Sequence, residues 1–289
     1  MNFIINLIGG LSLGGIYAMI ALGYTMVYGI AKMLNFAHGD IIMVGGYTIL
    51  IFTARSVHPV IAIILAVVFC VALGITVEKV AYKPLRGSSP LAVLITAIGV
   101  SYLLQSLAQI IFGSGTKMVQ GLDLGSFSIG SLKISVSTIV TLISCIMVMV
   151  ALNLFVKYTR IGRAMVAVSE DKGAAQLMGI NVNFIIMITF AIGSALAALA
   201  GTFYLMRSPS MYSTFGSLPG IKAFAAAVIG GIGSIPGAML GGILLGVVEV
   251  FAGASVLGPY TDAIEFARLI TILLVKPTGF LGKKRREKV

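Results

Sequence analysis

Six long stretches without a single Asp, Glu, Lys or Arg dominate this chain of 289 residues. Each supplies the roughly 20 apolar residues that a helix needs to span the hydrocarbon core of a bilayer. Backbone polar groups in lipid must be satisfied within the segment itself, so these stretches are predicted to be helices. We therefore predict an all-α integral membrane protein built as a polytopic helical bundle. The six stretches are residues 2–31, 56–77, 87–116, 134–156, 173–206 and 223–248.

The placement of basic residues predicts the orientation of the chain. Fourteen of the 20 Lys and Arg residues fall in alternate connections and in the C-terminal tail. Basic residues concentrate in cytoplasmic loops, so we expect the N-terminus outside and the C-terminus in the cytoplasm. This bias accounts for the net charge of +11 without nucleic acid as a partner. The basic tail, residues 277–289, is predicted to contact membrane lipid. Arg268 falls within a span, and five basic residues fall in the other connections: Arg55, Lys117, Lys133, Arg207 and Lys222.

About eight spans are predicted, with one short apolar piece, residues 220–232, between them. Counting that piece as a crossing gives nine, which keeps the N-terminus outside and the C-terminus in the cytoplasm. Gly233, Pro236 and Gly237 come directly after that piece and predict a helix break, because proline lacks an amide donor and glycine relaxes a helix. The piece is either a broken, re-entrant helix of the kind that lines transport pathways or a loop turning at the interface. The predicted spans lie near residues 7–30, 36–54, 59–80, 90–112, 136–156, 183–206, 236–255 and 259–276.

Small residues four positions apart, such as Gly10 and Gly14 or Gly242 and Gly246, predict helices that pack closely in lipid. No internal repeat is evident, and residues 1–289 are expected to form a single domain. Asp262, Glu265 and Arg268 share one helix face, and we expect them to pair with one another.

A polar insert, residues 158–181, interrupts the apolar chain on the predicted cytoplasmic side. Its two alanines, followed four residues later by a glycine, form a small, smooth helical surface that fits a groove in another protein. The alternative is a solvated loop whose charges only set topology. The candidate contact residues are Arg160, Gly162, Arg163, Glu170, Asp171, Ala174, Ala175 and Gly179.

Polar residues inside apolar spans are costly in lipid and are therefore candidates for a transport pathway or gate. A purely structural reading is open for each: Asn35 and Asp40 as helix caps, and Glu249 in an interhelical hydrogen bond. No metal-ligating or catalytic cluster is evident. The chain also lacks the Gly-x-x-x-x-Gly-Lys-Ser/Thr loop that binds ATP phosphates. The pathway candidates are Asn35, His38, Asp40, Gln105 and Glu249.

Several segments together resemble one family. They are Gly-Tyr-Thr-Met-Val-Tyr-Gly (23–29), Asn-Phe-Ala-His-Gly-Asp (35–40), Gly-Gly-Ile-Gly-Ser-Ile-Pro-Gly-Ala-Met-Leu-Gly-Gly (230–242) with Glu249, and the insert. With these motifs the whole chain resembles permeases of ATP-driven importers of branched-chain amino acids, and most closely their shorter, LivH-like subunit. Gly173 is a departure, since the best-known permease loop has glutamate there.

The resemblance implies a division of labour. This chain would form half of a pathway for leucine, isoleucine or valine in a bacterial cell membrane, beside a second, homologous permease. Two cytoplasmic ATPases would dock on the insert and hold the ATP and magnesium, and an extracytoplasmic binding protein would deliver the amino acid. The chain itself would bind no cofactor and would not be an enzyme.

Two other functions stay open from the residues. One is a permease for another small polar solute, such as a simple sugar, a nucleoside or urea. The other is an ion-coupled secondary transporter that uses Asp40, Glu249 and the break at Pro236.

Overall fold

The computed structural model of the chain describes residues 2–122, 124–129, 132–256, 258–276 and 279–282. Within these ranges the chain is mostly helical, as predicted, and two short β-ribbons lie in its connections. The helices are α1 (Asn2–Ala31), α2 (His38–Ala54), α3 (Pro59–Val77), α4 (Pro90–Phe112), α5 (Val136–Tyr158), α6 (Arg160–Glu170), α7 (Lys172–Leu177), α8 (Val182–Arg207), α9 (Ser217–Gly230), α10 (Ile235–Gly253) and α11 (Thr261–Val275).

Six of the described helices are long and apolar enough to cross a membrane: α1, α3 with its continuation to Leu85, α4, α5, α8 and α10. Three others are shorter than the roughly 20 residues of a full span, with 17 residues in α2, 14 in α9 and 15 in α11. The polytopic helical architecture is therefore confirmed. The count of about eight spans and the orientation of the chain stay predictions.

Glycines bring α1 and α10 into backbone contact. Gly10 lies against Val247 and Gly14 lies against Ile243, so the two helices run antiparallel. A Cβ on Gly246 would overlap the main chain of Gly14. The close packing predicted from the small residues is thus confirmed at this crossing. Lipid provides no hydrophobic driving force for helix association, so van der Waals contact between the two backbones stabilises the crossing.

Two halves of the chain share one order of elements, although no repeat is evident in the sequence. In each half a long helix (α1 or α8) leads into an irregular segment (residues 32–37 or 208–216) and then a short helix (α2 or α9). Two further helices follow, α3 and α4 or α10 and α11. The packing repeats as well, since α1 packs on α10 while α8 packs on α3. The two short helices approach each other at their first turns, where Gly39 lies against Gly216 and Gly220.

The two ribbons lie in the connections. β1 (Lys117–Met118) pairs antiparallel with β4 (Ser210–Met211), and this pairing joins the connection after α4 to the connection after α8. The amide of Val119 extends the pairing by donating to the carbonyl of Pro209 at 2.8 Å. β2 (Ser126–Ile129) and β3 (Leu132–Ser135) form a hairpin before α5.

The end of the chain returns to the bundle. The amide of Phe280 donates to the carbonyl of Ile229 at 2.8 Å, and that of Leu281 donates to Gly230 at 2.9 Å. These bonds satisfy carbonyls at the C-terminus of α9 that have no partner within the helix. The rest of the predicted basic tail, residues 277–278 and 283–289, lies outside the described residues.

Candidate functional site

The polar insert folds into two short helices, α6 and α7. α6 is amphipathic, with Gly162, Met165 and Val168 buried and with Arg160 and Arg163 exposed. Such a pattern places the apolar stripe against the bundle and leaves the basic face to solvent or to a partner. Glu170 ends α6 on the exposed side.

Gly162 allows the sharp turn from α5 into α6. The hydroxyl of Thr159 accepts a hydrogen bond from the amide of Gly162 at 2.9 Å and so caps the new helix. A Cβ on Gly162 would collide with the backbone of Phe155 and Val156. The structure therefore gives Gly162 a role in the turn.

Asp171 begins α7 as its N-cap. Its Oδ1 accepts hydrogen bonds from the amides of Gly173 at 2.8 Å and Ala174 at 3.0 Å. This arrangement satisfies two of the amides that a helix N-terminus leaves without partners. Asp171 thus shapes the insert, and Ala174 is exposed on its outer side while Ala175 is buried.

Gly179 ends α7 in the left-handed conformation, with φ of +81°. The amide of Ile180 donates to the carbonyl of Ala175 and the amide of Gly179 to that of Gln176, both at 3.0 Å. This is a Schellman motif, in which glycine is favoured because a Cβ strains the left-handed backbone.

Two large apolar side chains project from the end of α7, and we did not select them from the sequence. Leu177 is 90% exposed and Met178 is 82% exposed. Exposed adjacent apolar residues in an otherwise polar segment are typical of a contact with another protein. Their position between Gln176 and Gly179, within the polar insert, is the signal that marks them.

The insert is tied to the bundle through charged groups. Lys172 donates from Nζ to the carbonyl of Ala31, at the C-terminus of α1, at 2.8 Å. Partial burial, and secondarily the positive charge of Arg86, lowers the pKa of Lys172. Arg86 in turn contacts Glu78, which is buried, and Asn183 at the start of α8. The base of the insert is therefore linked to the end of α1, and beside it Arg86 links the end of α3 to the start of α8.

Asp40 and Gln105 are 65 residues apart in sequence and in direct contact in the structure. The Nε2 group of Gln105 donates to Oδ1 of Asp40 at 2.8 Å and lies 3.3 Å from the hydroxyl of Ser217. Asp40 is buried in the first turn of α2, and Ser217 is in the first turn of α9. These contacts join α2, α4 and α9 beside a cavity of about 260 Å³ that Tyr24 and Tyr102 also line.

Asn35 and His38 lie in the same region with different partners. The amide oxygen of Asn35 accepts a hydrogen bond from the hydroxyl of Tyr82 at 2.8 Å, and no side chain caps α2. The expectation that Asn35 and Asp40 cap helices is therefore wrong, because tertiary partners take up both side chains. His38 is buried and packs edge-on against Tyr24, with ring centroids 4.7 Å apart.

Glu249 belongs to a separate, ionic cluster centred on Lys222. The Nζ atom of Lys222 lies 2.8 Å from Glu249, 2.7 Å from Asp262 and 3.1 Å from Glu265. The side chains of Lys222 and Glu265 are 4% and 2% exposed. The cluster joins α9, α10 and α11.

Two sequence expectations are corrected by this cluster. The sequence predicts Lys222 in a connection. In the structure it lies buried within α9, where three carboxylates offset the cost of burying its charge. Asp262 and Glu265 pair with Lys222, and Arg268 forms no salt bridge within the described ranges.

The chain breaks where Gly233, Pro236 and Gly237 predicted a discontinuity. α9 ends at Gly230, and α10 begins at Ile235, capped by the hydroxyl of Ser234, which accepts from the amide of Gly237 at 3.2 Å. Gly233 has φ of +94°. Pro236 lies in the first turn of α10, where its missing amide costs no helix hydrogen bond.

Residues 6–274 match the family described as branched-chain amino acid transport system permease component. The high-affinity branched-chain amino acid permease BraD of Pseudomonas aeruginosa is 44% identical over 303 residues, which cover 100% of this chain and 98% of the relative. LivH of Escherichia coli K12 is 42% identical over 307 residues, with the same coverage of 100% and 98%.

A solved structure is similar in fold. It is PsaBC from Streptococcus pneumoniae in complex with Fab, with a TM-score of 0.52, 13% identity, and coverage of 93% of this chain and 91% of that chain. Together with the membrane-spanning helices and the match over nearly the whole sequence, these similarities identify the chain as a member of the branched-chain amino acid transport system permease family.

Proposed function

We infer that this chain is the membrane-spanning permease subunit of an ATP-driven importer for leucine, isoleucine and valine. The names of relatives that are 42–44% identical along the full length support this substrate class over sugars, nucleosides or urea. The chain is a multi-pass protein of the bacterial cell membrane and serves as a transport component. We propose that ATP and magnesium are held by partner ATPases and that this chain binds no cofactor.

The observation that carries ATP-driven coupling is the exposed apolar pair, Leu177 and Met178, at the tip of the insert. We propose that the ATPase receives this pair in a groove, with Arg163 and Glu170 at its rim. Lys172 connects the base of the insert to the end of α1, and α5 leads directly into the insert. A movement of the ATPase would therefore be passed directly to membrane-spanning helices.

The assembly that fits this role has two permeases, two cytoplasmic ATPases and an extracytoplasmic binding protein. The extensive apolar exposure of α4 and α5 supports a second permease or lipid as the neighbour of those helices, with Ile110 80% exposed and Met147 64% exposed. We propose the eight predicted spans with the short helix α9 as a further crossing, the N-terminus outside and the C-terminus in the cytoplasm, which place the insert on the ATPase side. Asn35, His38, Asp40, Gln105 and Glu249 stay candidates for the pathway or its gate.

Reconstitution tests the function. Proteoliposomes that contain the assembled transporter and its binding protein are expected to accumulate radiolabelled L-leucine only when ATP is supplied to the ATPases. This chain alone is expected to transport nothing in a proton or sodium gradient. Gradient-driven uptake by the isolated chain would contradict the inference and favour a secondary transporter.

Docking is tested by the double variant Leu177→Asp and Met178→Asp. Two charges in an apolar contact are costly to desolvate, so we expect co-purification of the ATPase to fall by about tenfold or more. Val256→Asp is the matched control, since Val256 is 97% exposed between α10 and α11 and is predicted to lie on the opposite side. Retained ATPase binding by the double variant would contradict the proposed docking surface.

A further inference from the structure

A cavity of about 510 Å³ opens among the ends of four helices. Asn6 comes from the beginning of α1, Arg207 from the end of α8, Glu249 from α10, and Asp262 from the beginning of α11. In the orientation we propose for the chain, all these helix ends lie on the outer side. This is the side on which a binding protein releases its amino acid.

The acidic wall of this cavity belongs to the Lys222 cluster. One ammonium group faces three carboxylates there, those of Glu249, Asp262 and Glu265. Glu249 and Asp262 line the cavity, whereas Glu265 lies behind them with its side chain 2% exposed. These two cavity-lining carboxylates share the single ammonium group of Lys222, so this wall carries surplus negative charge and favours a second positive group.

Arg207 supplies the opposite charge on the same cavity. It is the last residue of α8, its side chain is exposed, and it forms no salt bridge with any residue in the described ranges. A guanidinium group in this position is able to bind a carboxylate through two parallel hydrogen bonds. Leu13 and Val250 add apolar surface between the charged groups.

We propose that this cavity is a reception subsite for the zwitterionic head group of an α-amino acid. Glu249 and Asp262 would accept hydrogen bonds from the ammonium group, and Arg207 would donate to the carboxylate. Lys222 would hold the carboxylate wall in place without touching the substrate. The inference rests on the proposed function and adds the side of the chain, and the residues, that first contact the free amino acid.

The test measures ATP-dependent uptake of L-leucine by the complete transporter in proteoliposomes, normalised to the amount of ATPase that co-purifies. Arg207→Gln and Glu249→Gln keep the approximate side-chain shape and remove a charge. Each is expected to lower uptake by about tenfold or more, as for other hydrogen bonds to charged groups. Arg207→Lys keeps the positive charge and is expected to retain more uptake than Arg207→Gln.

Arg55→Gln is the matched control, because Arg55 is an exposed arginine at the C-terminal end of α2, does not line the cavity, and is also predicted to face outside. Uptake by Arg55→Gln is expected to equal that of the wild type. If Glu249→Gln assembles poorly, Asp262→Asn replaces it, since Asp262 is 57% exposed and less involved in packing.

The outcomes separate the two inferences. Wild-type uptake of leucine together with unimpaired Arg207→Gln would overturn the reception subsite and leave the proposed function intact. Failure of the wild-type transporter to import any branched-chain amino acid would overturn the proposed function and the subsite with it.

Discussion

The two halves of the molecule, α1–α4 and α8–α11, use one arrangement of helices with different polar chemistry. In the first half, Gln105 of α4 binds Asp40 of α2 through a hydrogen bond. In the second half, Glu265 of α11 binds Lys222 of α9 through an ion pair. Each pair fastens the last helix of its half to the short helix.

The difference lies in charge. At this position the first half has the buried carboxylate of Asp40, which accepts from the amide of Gln105, whereas the second half surrounds one ammonium with three carboxylates. A hydrogen-bonded amide holds helices together and attracts no ion strongly. A cluster with surplus negative charge is expected to do both. The comparison teaches that equivalent positions in a repeated scaffold are free to differ, one held by a hydrogen bond and one by an ionic cluster.

The largest effect is expected from Lys222→Met in the second half. This change leaves the carboxylates of the cluster without their cation, which in a buried pair costs about 3–5 kcal/mol of stability. Thermal unfolding of the purified chain in detergent measures the loss. Adding Glu265→Gln to Lys222→Met is expected to recover part of it, because one surplus charge is removed. No difference between the single and the double variant would contradict the ionic account.

A second test compares the crossing of α1 with α10 and the crossing of α3 with α8. In Gly246→Val the added side chain meets the main chain of Gly14, which cannot move aside, and overpacking of this kind costs about 1–3 kcal/mol or more. In Gly74→Val it meets the hydroxyl of Ser194, which is able to rotate, and the Cβ of Ser194 at 2.8 Å, which is not, so the loss of stability is expected to be smaller but not absent. Thermal unfolding again gives the order. Gly99→Val is the control, since no atom lies within 4 Å of its added Cβ.

The smallest effect is expected from Gln105→Leu in the first half. Asp40 then loses one hydrogen bond, at a cost of about 1 kcal/mol, because only a single neutral donor is removed. Asp40→Asn keeps a partner for Gln105 and serves as the control in the same unfolding assay. A loss as large as that of Lys222→Met would show that the two halves are equivalent in energy and would break the comparison.

Local signals explain what the sequence predicts well. Charge-free runs indicate spanning helices, because lipid enforces internal hydrogen bonding over a fixed length. Gly233 and Pro236 indicate the discontinuity between α9 and α10, which the structure places at residues 231–234. The charged residues of the insert indicate a polar helix-turn, and α6 and α7 form there.

Long-range pairing explains what the sequence does not predict. The sequence predicts Lys222 in a connection, because its carboxylate partners lie 27 to 43 positions further along the chain and give no local signal. From the sequence, Asp40 resembles a helix cap. Its contact with Gln105 has no local signal, because that contact depends on how α4 packs. The exposure of Leu177 and Met178 depends on how α7 packs, since only Ala175 of that helix is buried. The two-half organisation is likewise a property of packing, since sequence identity between the halves is not evident.

The pairing of β1 with β4 has a mechanical consequence. These strands join the connection after α4 to the connection after α8. Lys117 pairs with Met211, and Met118 pairs with Ser210. As long as β1 and β4 stay paired, the two halves are unable to separate at the end of the bundle where these strands lie. A rocking motion of the halves must then pivot at this pairing. The widest displacement would then occur at the far end, where the break between α9 and α10 lies.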